Sequence, residues 1–91
     1  MGFHDPLLSA LQTRLPGILY EWAPGGKEKN GEYWVNSPLR NDKQGTSFSV
    51  NIRTGFWFDF ATGEKGNLIS LYAGINRITY GEAARRLSMR Y

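Results

Sequence analysis

Ser47-Phe48-Ser49-Val50-Asn51-Ile52-Arg53-Thr54-Gly55-Phe56-Trp57-Phe58-Asp59-Phe60 decides the fold of this chain. Residues 47–53 alternate, with Phe48, Val50 and Ile52 on one face and Ser47, Ser49, Asn51 and Arg53 on the other. Thr54-Gly55 supports a tight hairpin turn, because glycine accepts positive φ. The return strand is expected to place Phe56, Phe58 and Phe60 on the core face, with Trp57 and Asp59 outward. An isolated hairpin is marginal in water, so this one needs further partners.

Those partners lie on both sides of it. Residues 32–36 read as a third strand, Tyr33 and Val35 on one face and Trp34 on the other. Residues 38–45 form a loop rich in turn formers and charge. Asp5-Pro6 is a helix start, an N-cap acceptor followed by proline at the first helical position. Leu7, Leu8, Leu11 and Leu15 continue it at helical spacing until Pro16-Gly17. Residues 18–22 read as a short extended segment leading into the Pro24-Gly25-Gly26 loop, and residues 27–31 as a polar turn. Residues 62–66 form a glycine-flanked turn before Asn67, which caps a helix expected to close at Gly74. Thr79 and Glu82 have capping-box spacing ahead of a last helix through Ala83, Ala84 and Leu87. The chain is thus expected to be α+β: a small antiparallel sheet with flanking helices.

Composition sets limits on what such a domain does. Ninety-one residues make one small domain, and 41% hydrophobic with 14% aromatic content is globular. With no cysteine to form disulfides, buried aromatics must supply the stabilising apolar area. The start Met1-Gly2-Phe3-His4-Asp5 has neither the basic region nor the apolar run of a signal peptide. No apolar stretch approaches the ~20 residues that span a bilayer, so a soluble cytoplasmic protein with no membrane partner is expected. A net charge of +3 permits a nucleic-acid partner without demanding one. A chain that opens on a methionine and ends inside a helix reads as the N-terminal piece of a longer protein.

Gly31-Glu32-Tyr33-Trp34, Ser37-Pro38-Leu39-Arg40, Asn41-Asp42-Lys43, Ser47-Phe48-Ser49-Val50, Gly55-Phe56-Trp57-Phe58 and Gly63-Glu64-Lys65-Gly66-Asn67-Leu68-Ile69 follow one another in order. This ordered set, with the helix Tyr80-Gly81-Glu82-Ala83-Ala84-Arg85-Arg86-Leu87, resembles the N-terminal zinc-ribbon domain of bacterial replicative primases. That family's pattern runs Cys-Pro-x-His, a polar turn, Pro-Ser-Phe-x-Val, an aromatic strand, Cys-x-x-Cys, a glycine-rich turn and a helix. The likeness covers about two-thirds of the chain. It is greatest to the zinc-free variants at the start of phage- and plasmid-type primase or primase-helicase proteins. The four ligand positions fall on Ser37, Arg40, Asp59 and Thr62. An arginine cannot ligate a dication, and hydroxyls with one carboxylate replace thiolates poorly. No metal and no other cofactor is therefore expected. Arg40 and Asp59, both at former ligand positions, are expected to pair and take over the cross-link.

The resemblance implies an accessory domain that engages single-stranded template DNA beside a downstream catalytic or helicase domain of the same protein, acting as a monomer. The residues support such binding through an outward face carrying Trp57, Asn51 and Arg53, joined by Trp34, with Arg40, Lys43 and Lys65 bordering one end. Bases stack on aromatic rings while cations follow phosphates. The opposing reading places helices over this face, the tryptophans in the core and the loop cations in solvent. Arg85-Arg86 reads as a solvated or docking surface. Gly63-Glu64-Lys65-Gly66 lacks the spacing of a phosphate loop. The eight acids are scattered, without the clustered carboxylates that hold Mg²⁺ for phosphoryl transfer, and no enzyme activity is expected of this domain alone. A second reading, from another class, makes the domain a protein-docking module that has lost DNA binding together with zinc.

Overall fold

Register, more than alternation, sorts the side chains of this protein between two faces of one sheet. The computed structural model describes residues 5–40 and 47–91. Its elements are α1 (Pro6–Gln12), α2 (Gly17–Trp22), β1 (Lys27–Lys29), β2 (Glu32–Val35), β3 (Phe48–Asn51), β4 (Trp57–Asp59), β5 (Lys65–Gly66), α3 (Leu68–Asn76) and α4 (Tyr80–Arg90). The five strands form an antiparallel meander in chain order. Val50 sits opposite Tyr33 on one side and Trp57 on the other, while Phe48 sits opposite Val35 and Asp59. Directly opposed residues share a face, so burying Phe48 and Val50 also buries Trp57 and Asp59.

This reverses the facing expected of β4. Phe56 and Phe60 are each 60% exposed, whereas Trp57 is 6% exposed. The turn runs through residues 52–55 and is longer than the two residues expected. It is closed by Gly55 N–H to Asn51 O and by Asn51 N–H to Phe56 O, both 2.8 Å. An even-numbered turn always pairs an even residue of β3 with an odd residue of β4, and that parity carries Trp57 inward.

Helices cover the inner face. Leu11 of α1, Ile18 and Leu19 of α2, Leu68, Ile69 and Leu71 of α3, and Ala83 and Leu87 of α4 join Tyr33, Phe48, Val50 and Trp57 in one core. Asp5 caps α1, its Oδ1 accepting from Leu7 and Leu8 N–H at 2.9 and 3.2 Å. Residues 17–22 are helical where an extended segment was expected. Six residues are too few for periodicity to decide, and packing of Ile18 and Leu19 decides instead. Residues 27–29, expected as a turn, form an edge strand whose three side chains are exposed. They satisfy the backbone groups of β2, and the two lysines discourage further pairing.

Asn67 and Ser70 cap α3 reciprocally at 2.9 Å in both directions. The helix passes Gly74 and ends at Arg77, which adopts φ 57°. A Cβ on Gly74 would meet Leu39 at 2.6 Å, so close packing explains that glycine better than a helix stop. Thr79 caps α4 by accepting from Glu82 N–H at 3.1 Å. Tyr33 ties β2 to the preceding loop, its hydroxyl donating to Ala23 O at 2.6 Å and accepting from Gly26 N–H at 3.0 Å.

Gly55 combines φ 81° with a Cβ direction aimed at Leu68, 2.6 Å away. Gly55→Ala meets both a left-handed penalty of about 1–2 kcal/mol and a core clash. Urea unfolding is expected to show a loss of at least about 2 kcal/mol, whereas substitution of exposed Gly63 leaves the core packing untouched.

Candidate nucleic-acid interface

The outer face of the sheet is left without a helix among the described residues. Its aromatic side chains, Trp34, Phe56, Phe58 and Phe60, lie outside the core cluster. Across this face run Lys27 of β1, Trp34 of β2, Ser49 of β3, Phe58 of β4 and Lys65 of β5, each opposite the next. Lys29, Glu32 and Asn51 form a second row beside them. Trp34 and Phe60 stack, with ring centroids 5.6 Å apart and planes 21° from parallel. Phe58 leans on Phe60 at 4.7 Å. The rings border a concavity of about 830 Å³ reaching to Lys65 and Asn67. A second, of about 540 Å³, lies between Trp34, Glu32, Lys27 and Lys29.

The expected site residues divide accordingly. Trp34, Asn51 and Lys65 lie on this face. Trp57 does not present a free ring: it stacks on Phe48 at 5.2 Å and its Nε1–H donates to Asn67 O at 2.9 Å. Its place on the surface is taken by its neighbours Phe56, Phe58 and Phe60. Arg53 is exposed on the turn, and its backbone N–H donates to Asn51 Oδ1. Lys43 lies outside the described residues.

Arg40 belongs to a different construction. Its guanidinium grips Asp59 with two hydrogen bonds, Nε to Oδ2 at 3.2 Å and Nη2 to Oδ1 at 3.0 Å, and Nη2 also donates to Ser47 Oγ at 3.3 Å. Asp59 is fully buried. That guanidinium, with N–H groups of Ala61 and Thr62, holds its carboxyl below the usual carboxylate range against the opposing effect of burial. The other three positions that the resemblance aligns with metal ligands also serve the turns. Ser37 Oγ accepts from Leu39 N–H at 3.1 Å, Asp59 Oδ1 from Ala61 N–H at 2.9 Å, and Thr62 Oγ1 from Glu64 N–H at 3.2 Å. The turns at residues 37–40 and 59–62 are therefore joined by charge and hydrogen bonds, as the sequence reading anticipated. Among the described residues, no group of three or more His, Cys, Asp or Glu side chains gathers to hold a metal.

On the helical layer, Arg85 and Arg86 of α4 both pair with Glu82, whose carboxyl they hold down at about 2. No helix among the described residues is long and apolar enough to cross a membrane.

Lys27, Lys29 and Phe56, Phe58 and Phe60 as surface rings escaped the sequence reading. Parity of the turn was the available signal. A turn at Thr54-Gly55 already pairs Arg53 with Phe56 and Ile52 with Trp57, which assigns the phenylalanines to the polar face.

No family model matches this chain, and no curated protein matches it. Among solved structures, its fold is similar to the crystal structure of the Aquifex aeolicus primase, comprising zinc-binding and RNA polymerase domains. The TM-score is 0.74 at 23% identity, covering 97% of this chain and 22% of that one. The five-stranded antiparallel sheet with flanking helices is thus a primase zinc-binding-domain fold.

Two outcomes follow from the Arg40–Asp59 pair. Arg40→Ala strands a buried carboxylate and is expected to cost about 3 kcal/mol, with a coupling of about 1–3 kcal/mol to Asp59→Ala in a double-mutant cycle of urea unfolding. Because the folded carboxyl has the lower pKa, the unfolded chain takes up the proton first. The stabilisation is complete above about pH 4 and is lost as pH falls through the folded value. Asp59→Asn removes this acid-limb dependence, as thermal melts between pH 7 and pH 2 will read out.

Proposed function

We propose that this chain is a non-catalytic accessory domain of a primase or primase-helicase protein, and that its uncovered sheet face engages single-stranded template DNA during primer synthesis. One observation carries the proposal: a face with no helix over it among the described residues, on which Trp34 and Phe60 stack, with Phe58 beside them and Lys27, Lys29 and Lys65 on the flanking strands. Rings with exposed faces accept bases of any sequence, and cations at the two sheet edges neutralise the phosphates that pass them. The shared fold with a primase domain supports the placement beside a separate catalytic domain. The Arg40–Asp59 clasp supports reading it as a zinc-free form of the phage- and plasmid-type proteins. Such a role belongs in the cytoplasm, with the domain acting as a monomer within its parent chain.

A second reading draws on the 60% exposure of Phe56 and Phe60. Rings exposed to that extent also suit anchors for a neighbouring helicase or polymerase domain. Salt separates the two, because phosphate binding weakens steeply with ionic strength and aromatic docking does not.

Titration with short single-stranded DNA, followed by Trp fluorescence and NMR, tests the proposal. Trp34→Ala and Phe60→Ala should each weaken binding by about 1–3 kcal/mol. The logarithmic salt slope should shrink by about 0.7 for each of Lys27, Lys29 and Lys65 replaced by Ala. No response at high micromolar DNA would leave protein docking as the function of this face.

A further inference from the structure

Three kinds of group share the outer face, and one of them is out of place on a surface that binds phosphate. Lysines attract any phosphate and rings stack with any base, so neither distinguishes one nucleotide from another. Glu32 is a carboxylate among them, lining both concavities. It stands opposite Lys29 in the β1–β2 register, yet its carboxylate has no ion pair or hydrogen bond among the described residues. An unpaired carboxylate here repels the strand, unless it finds hydrogen-bond donors on a base.

Its other cross-strand neighbour supplies the complement. Glu32 faces Asn51, and the Ile52 N–H to Gly31 O bond of 3.1 Å marks the adjacent pair as the hydrogen-bonded one. Glu32 and Asn51 therefore form a non-hydrogen-bonded pair, whose side chains stand closer together. Asn51 Oδ1 is already occupied, accepting from Arg53 and Thr54 N–H at 2.9 Å each. What remains of Asn51 is its amide NH₂, a donor only, beside a carboxylate that is an acceptor only.

We infer that Glu32 and Asn51 form a base-reading pair that selects guanine on the Trp34 platform. The Watson–Crick edge of guanine presents the N1–H and N2–H donors side by side, next to the O6 acceptor. Two adjacent donors satisfy both carboxylate oxygens at once in a charge-assisted fork, and the Asn51 amide donates to O6. Adenine, cytosine and thymine each present a single donor group on that edge, so one carboxylate oxygen goes without a base partner. Phe60 covers one face of Trp34. Trp34, Glu32 and Asn51 all line the concavity of about 830 Å³, which has room for a nucleotide, and Lys27 and Lys29 stand opposite Trp34 and Glu32 on β1.

This assignment rests on the strand-binding reading and adds a base preference to it. The test uses the full chain and thymidine decamers that carry a central guanine, adenine, cytosine or thymine, followed by Trp fluorescence. The guanine decamer is expected to bind about tenfold more tightly than the other three. Glu32→Gln should erase that difference, with the guanine decamer falling to the affinity of the other three. The variant is isosteric at a half-buried surface position, and an unchanged thermal melt confirms its fold. Equal affinities for all four decamers, with normal salt dependence, overturn guanine selection and leave strand binding standing. Absence of binding to every decamer, and to deoxyguanosine monophosphate, overturns both. Deoxyguanosine monophosphate binding as tightly as the decamer, with the same loss in Glu32→Gln, upholds the base-reading pair and identifies a free guanine nucleotide as its ligand.

Discussion

Pairing Val50 with Trp57 imposes two demands on the chain and leaves it one resource. The first demand is steric, since an indole must fit beneath α3. It is met by stacking on Phe48 and by the hydrogen bond from Nε1–H to Asn67 O at the start of that helix. The second is electrostatic, because the same register carries Asp59 into the interior. A buried carboxylate is costly without a partner, and Arg40 answers it from across the neighbouring turn. The resource is the set Phe56, Phe58 and Phe60, displaced to the open side.

The Arg40–Asp59 clasp shows how a fold shared with a metal-binding domain persists on other chemistry. A tetrahedral metal site fixes two turns by coordination; here a planar guanidinium fixes them with a fork of hydrogen bonds. Serine, threonine and aspartate oxygens cap the same turns. The substitute differs in its sensitivities. Metal sites fail with chelators, whereas this clasp weakens when acid protonates Asp59. The clasp and the stacked rings of the sheet face are built from separate residues.

On that face, stacking rings and lysines stand beside Glu32 and Asn51, a carboxylate acceptor next to an amide donor. Edge strands contribute much of this chemistry. Lys27 and Lys29 on β1 and Lys65 on β5 guard the sheet against further pairing and supply the positive charge.

The sequence by itself determined the elements with strong local signals. Asp5-Pro6 and Asn67 mark helix starts through capping chemistry, residues 47–53 alternate as a strand, and the order of motifs resembles that of a primase zinc ribbon, whose fold the chain shares. The Arg40–Asp59 pairing was legible too, because it follows from which positions the ligands would occupy. Short segments were not: residues 18–22 and 27–29 hold too few side chains for a period to emerge, and packing against α1 and β2 settled them. The facing of β4 belonged to the tertiary structure as well. Phe56, Trp57, Phe58, Asp59 and Phe60 are aromatic on both sides of the strand apart from one acid. Hydrophobicity therefore cannot choose a face; turn parity is the one local signal, and pairing with Val50 and Phe48 under the helices makes the choice.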